Sequence, residues 1–100
     1  MATTSKTLFR GAASTSSTTL YTVPSATTTI VTNIIVTNNT VSDKTYTLSL
    51  NGTVIASNVT VAGYDSTVID LKQVLDATQT ITGLSNSTSV NFHISGVEIA

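Results

Sequence analysis

The chain has 100 residues, no cysteine, and four Lys or Arg against five Asp or Glu. This length suits one domain over residues 1–100 with one modest core, too small to wall a deep cleft. Too few basic residues are present to neutralise several phosphates, so no nucleic-acid partner is expected. The absence of thiols excludes disulfide scaffolds, thiol chemistry and thiolate metal sites, and is compatible with folding in a reducing cytoplasm.

About a fifth of the residues are threonine. β-branched side chains are stiff about χ1 and fit a pleated surface better than a helix. Residues 1–5 read as a polar N-terminal tail, with no apolar run of signal-peptide or membrane-spanning length after it. Residues 6–12 read as a first strand and residues 14–19 as a Ser/Thr-rich loop or arm. Residues 20–23 are extended and stop at Pro24, which cannot donate to a ladder.

Residues 28–37 form the longest apolar stretch. Alternation places Ile30, Ile34 and Val36 on one face and Val31 and Ile35 on the other, so both faces should be covered. Residues 38–44 read as a turn. Tyr46, Leu48 and Leu50 then alternate with polar residues as a half-buried strand. Asn51-Gly52 follows with the two left-handed positions of a type I′ turn, predicting a hairpin into residues 53–56.

A brief strand at 59–61, a turn at 62–65 and a strand at 67–71 come next. Leu71, Val74 and Leu75 are spaced i, i+3, i+4, and Asp70 precedes Gln73 by three. This pattern predicts one short helical turn at 71–75. A strand over 78–82 should end at Gly83, and residues 85–89 should be a loop. Val90, Phe92 and Ile94 alternate to the core; beyond Gly96 the apolar phase flips to Val97 and Ile99, which suggests a bulge. The sum is an all-β chain: a single antiparallel β-sandwich, jelly-roll or Ig-like, of about eight short strands.

Catalytic equipment is sparse, and no enzyme is predicted. The single histidine, His93, reads as a surface or interface residue on the Asn91/Ser95 face. Asp43, Asp65, Asp70, Asp76 and Glu98 are scattered among turns and strand ends, with no calcium-loop spacing, so no metal or cofactor is expected. Four Asn-x-Thr triplets follow from composition. Tyr64, beside Gly63 in a turn, is the exposed aromatic that could meet a ligand. Tyr64 and His93 are therefore the residues singled out for ligand or interface contact.

Scarce charge also leaves sheet edges with few guards, which points to neighbours covering edges and faces.

Several stretches resemble small virion proteins of tailed bacteriophages. They are Thr19-Leu20-Tyr21-Thr22-Val23-Pro24, Thr32-Asn33-Ile34-Ile35-Val36-Thr37-Asn38, Asp70-Leu71-Lys72-Gln73-Val74-Leu75 with Thr80-Ile81-Thr82-Gly83, and Val90-Asn91-Phe92-His93-Ile94-Ser95-Gly96-Val97-Glu98-Ile99. The resemblance implies a β-sandwich that decorates or cements a capsid, with tail or neck attachment as the alternative. It implies a homo-oligomer, such as a trimer, and the major capsid protein or another virion protein as partners. It implies no catalytic residue, cofactor or membrane, and location in the virion after assembly in the bacterial cytoplasm. A host-glycan-binding module is the competing reading.

Overall fold

The computed structural model describes residues 2–100, all of whose regular structure is β. Eight strands follow in order: β1 Thr3–Ala12, β2 Thr18–Thr22, β3 Thr28–Asn38, β4 Lys44–Leu50, β5 Thr53–Val61, β6 Ser66–Leu75, β7 Thr80–Ser85 and β8 Val90–Ile99. They form two antiparallel four-stranded sheets, ordered β1-β8-β3-β6 and β2-β7-β4-β5. Consecutive strands mostly lie in opposite sheets, so the chain repeatedly crosses the sandwich. The core is the layer between the sheets, where Val31, Ile34, Val36, Leu48, Ile81, Val90, Phe92 and Ile94 are fully buried. At its centre Tyr46 and Phe92 meet edge to face, ring centroids 6.3 Å apart, the geometry that aromatic quadrupoles favour.

The Asn51-Gly52 hairpin forms as expected, with φ of 48° and 81° at the two turn residues. Several other expectations are corrected. Residues 71–75 are not a helical turn but the end of β6. Leu71 packs on the core and Leu75 is buried, while Val74 points outward and is exposed. The helical spacing arises from two inward leucines plus one outward valine. A single helical turn would also have to nucleate without propagating, which is costly.

The tail expected at residues 1–5 is strand from Thr3 onward, paired with Val97–Ile99 of β8; residue 1 lies outside the described residues. Thr18 and Thr19, expected in the arm at 14–19, belong to β2. The separate strands expected at 53–56 and 59–61 are one strand, β5. Gly83 lies inside β7 rather than at its end; glycine fits there because a side chain would collide with Leu48 and Leu20.

Bulges explain the remaining differences. β8 runs straight through Gly96, but its neighbours carry extra residues beside it: Leu8 in β1 and Thr32 in β3. β6 carries one more again, at Leu71–Lys72, relative to β3. Bulges of this kind bend and twist a sheet. The bulge at Thr32 reverses the alternation of β3, so Thr29, Val31, Ile34 and Val36 face inward, while Ile30 and Ile35 face outward. Glycine at position 96 is required because the bulged β3 comes close: a Cβ would lie 2.4 Å from the carbonyl oxygen of Ile30.

Candidate interaction surfaces

Three places bring chemistry-bearing side chains together. The first is where the long sheet runs past the short one, near the chain ends. With β8 straight, Glu98 faces inward rather than outward. The Tyr21 hydroxyl of β2 donates to Glu98 and lies 2.9 Å from Thr29 Oγ1. Tyrosine has one hydroxyl proton, so Thr29 is the donor to Tyr21. Lys6 of β1 approaches Glu98 at 3.3 Å. The cluster joins four strands and both sheets. Burial, reinforced by the hydrogen bond to Glu98, pushes Tyr21 from 10.0 up to about 12. The Tyr21 hydrogen bond holds the Glu98 carboxyl below its ordinary range, against the opposing effect of burial and with help from Lys6. The Tyr21 and Thr29 protons are both engaged within the cluster, which cross-links the two sheets.

The second is the opposite end, where the β3–β4, β5–β6 and β7–β8 loops meet. The buried Asn38 ties two of them together: its Nδ2 donates to the carbonyls of Ser42, Val61 and Ala62, and its Oδ1 accepts from the Thr40 amide and hydroxyl. Tyr64 stands on this rigid base, 73% exposed, beside Val41 at 79%. Its φ is 55°, a left-handed value unfavourable for a bulky residue. The preceding Gly63 is pressed against the β3–β4 loop, where a Cβ would fall 2.1 Å from the Val41 carbonyl oxygen. The structure thus displays Tyr64 as an exposed aromatic, as the turn position suggested.

The third is the outer face of the β1-β8-β3-β6 sheet. Register places Arg10, His93, Ile35 and Val68 in one row across it, and Ser5, Val97, Ile30 and Val74 in another. The row between holds Thr7, Ser95, Asn33 and Asp70. Here two open hollows of about 460 and 380 Å³ flank the Thr32 bulge. His93 is part-buried between Arg10 and Ile35, as a residue of this face, and Tyr64 belongs to the loop end; the fold does not bring the two together.

The outer face of the other sheet is different. Its central strands present Thr45, Thr47 and Ser49 of β4 and Thr80, Thr82 and Leu84 of β7. Hydroxyls hold the centre of that face, with Leu84 among them and the exposed Val54 beside Ser49 on the edge strand β5, whereas aliphatic side chains lie on three strands of the first, where Val68 and Val74 are each 60% exposed. The four edges are also less open than the scarcity of charge suggested. The edge strands β1, β2, β5 and β6 each carry extra residues that break their registers, a device that blunts edge pairing.

Sequence reading missed two of these features. Asn38 was visible as the start of a turn, but its five hydrogen bonds depend on the distant β5–β6 loop. Glu98 was hidden because the apolar flip at Gly96 was read as a change in β8, when the bulges lie in its neighbours.

No family model matches the chain, and no curated protein matches it. Among solved structures it is similar to a chain of the T13 IBDV viral particle, whose crystal structure is described as revealing a missing link in the evolution of icosahedral viruses. The likeness covers 97% of this chain at a TM-score of 0.60 and 11% identity. This chain spans 30% of the length of that one. At such low identity the likeness shows the fold.

Proposed function

We propose that this chain is a structural component of a virus particle, and specifically a capsid decoration or cement protein of a tailed bacteriophage. The observation that carries the reading is the aliphatic outer face of β1-β8-β3-β6 on a sandwich whose strand order is that of a jelly roll, a winding used by viral capsid domains. The similar fold of a chain from the T13 IBDV particle supports it. The bacteriophage assignment and the capsid partner rest on the residue stretches that resemble phage virion proteins.

In this reading the chain acts by adding buried area, without catalysis or cofactor. A specific interface buries about 1,600 Å² in total. Repetition over many copies lets modest contacts resist disassembly together. The same fold would serve at a neck or tail, so the site of attachment separates these alternatives. Mass spectrometry of washed, purified particles is expected to find the chain in many copies per particle, and particles lacking it are expected to open at lower temperature. Its absence from washed particles overturns the reading.

A second reading is favoured by Tyr64, whose ring is displayed on a rigid loop. Here the loop end binds host glycans by stacking a sugar on the ring. In this case Tyr64→Ala reduces adsorption of particles to cells; unchanged adsorption removes it.

A further inference from the structure

The exposed aliphatic residues of the β1-β8-β3-β6 face are accompanied by opposite charges at opposite edges. Arg10 lies on β1, one edge strand, and Asp70 on β6, the other. We propose that this face is an isologous interface that pairs two copies of the chain, sheet against sheet. The surface is self-complementary under a two-fold axis along the strands. That operation lays β1 of one copy over β6 of the second, and β8 over β3. Val97 then meets Ile30 of the second copy, and Val68 meets the aliphatic stem of Arg10. Arg10 stands one row from Asp70 of the second copy, an offset of about 7 Å along the strand that a guanidinium spans when sheets pack face to face.

An isologous contact requires one patch to carry both halves of each interaction, and this patch does. The opposite sheet offers less: hydroxyls that water satisfies hold the centre of its outer face, and its exposed Val54 and Ile55 lie on the edge strand β5. The bulged edges leave face pairing as the route to association. The inference rests on the particle reading only in that the second copy is then the neighbour covering this face in the particle; its test is made on the isolated chain.

Sedimentation equilibrium of the purified chain at micromolar concentrations tests it. The wild type is expected to be a dimer. Arg10→Glu and Asp70→Arg are each expected to weaken dimerisation about tenfold, and the double reversal R10E/D70R to restore most of the loss. Val97→Glu, which sets a carboxylate against Ile30 of the second copy, is expected to give a monomer with an unchanged circular-dichroism spectrum, while Thr82→Glu on the opposite sheet leaves the dimer intact. A monomeric wild type, a trimer, a dimer indifferent to Val97→Glu, or charge reversals that only accumulate would each overturn the proposal. A monomeric chain that is found in particles contradicts this inference alone; a dimer that is absent from particles contradicts the particle reading alone.

Discussion

Glu98 shows how one inward side chain can set a protein's response to pH. Its folded-state carboxyl is held below its ordinary 4.5, so its contribution to stability is present above that value and is lost as pH falls through the folded value. Urea unfolding is expected to show this acid loss in the wild type and a shallower one in Glu98→Gln. Tyr21 has the opposite sign. Its stabilisation is present below 10.0 and declines as pH rises toward about 12, because ionisation would place a phenolate beside a carboxylate. Tyr21→Phe is expected to flatten part of this alkaline loss; Tyr46, raised by burial, keeps the rest. At neutral pH the same variant is expected to cost about 1–3 kcal/mol in unfolding free energy, the range for a lost hydrogen bond to a charged group. Close approach gives a further test. Gly63→Ala forces a methyl onto the Val41 carbonyl, and is expected to cost about 1–3 kcal/mol by overpacking.

At the scale of elements, legibility followed locality. The Asn51-Gly52 hairpin and the alternation of β4 were readable because turn chemistry and period two act within a few residues. The inward set of β3 was not, because Thr32 bulges only in relation to β8, some sixty residues away in sequence. β6 was misread as ending in a helical turn because an outward valine completed an apolar spacing that looks helical when its neighbours are unknown. Thr67, Val68 and Ile69, β-branched and directly upstream, hold that segment extended. The junction between β3 and the β5–β6 turn depends on Asn38, which was legible only as a turn residue. Asn38→Ala strips partners from three carbonyls and from Thr40. It is expected to lower stability by about 3 kcal/mol, and to loosen the Tyr64 loop end first, read as faster amide exchange of residues 62–65.

At the scale of the whole molecule, composition was enough to indicate a sandwich, because β-branched residues, short periods and turn residues all agree. Its scarce charge also pointed to neighbours covering edges and faces alike. The bulges blunt the edges, and the outer face of β1-β8-β3-β6 carries aliphatic residues on three of its strands, while hydroxyls hold the centre of the β2-β7-β4-β5 face. His93 belongs to that aliphatic face as its position in β8 suggested, whereas the row it shares with Arg10, Ile35 and Val68 emerges only once strand order and register are known. A cryo-EM map of purified particles tests the central claim most directly. The account predicts repeated density for a domain measuring 46 × 21 × 18 Å, with the aliphatic sheet turned against a neighbouring subunit and the threonine sheet toward solvent. Particles without such density, or with the threonine sheet buried and the aliphatic sheet bare, would contradict it.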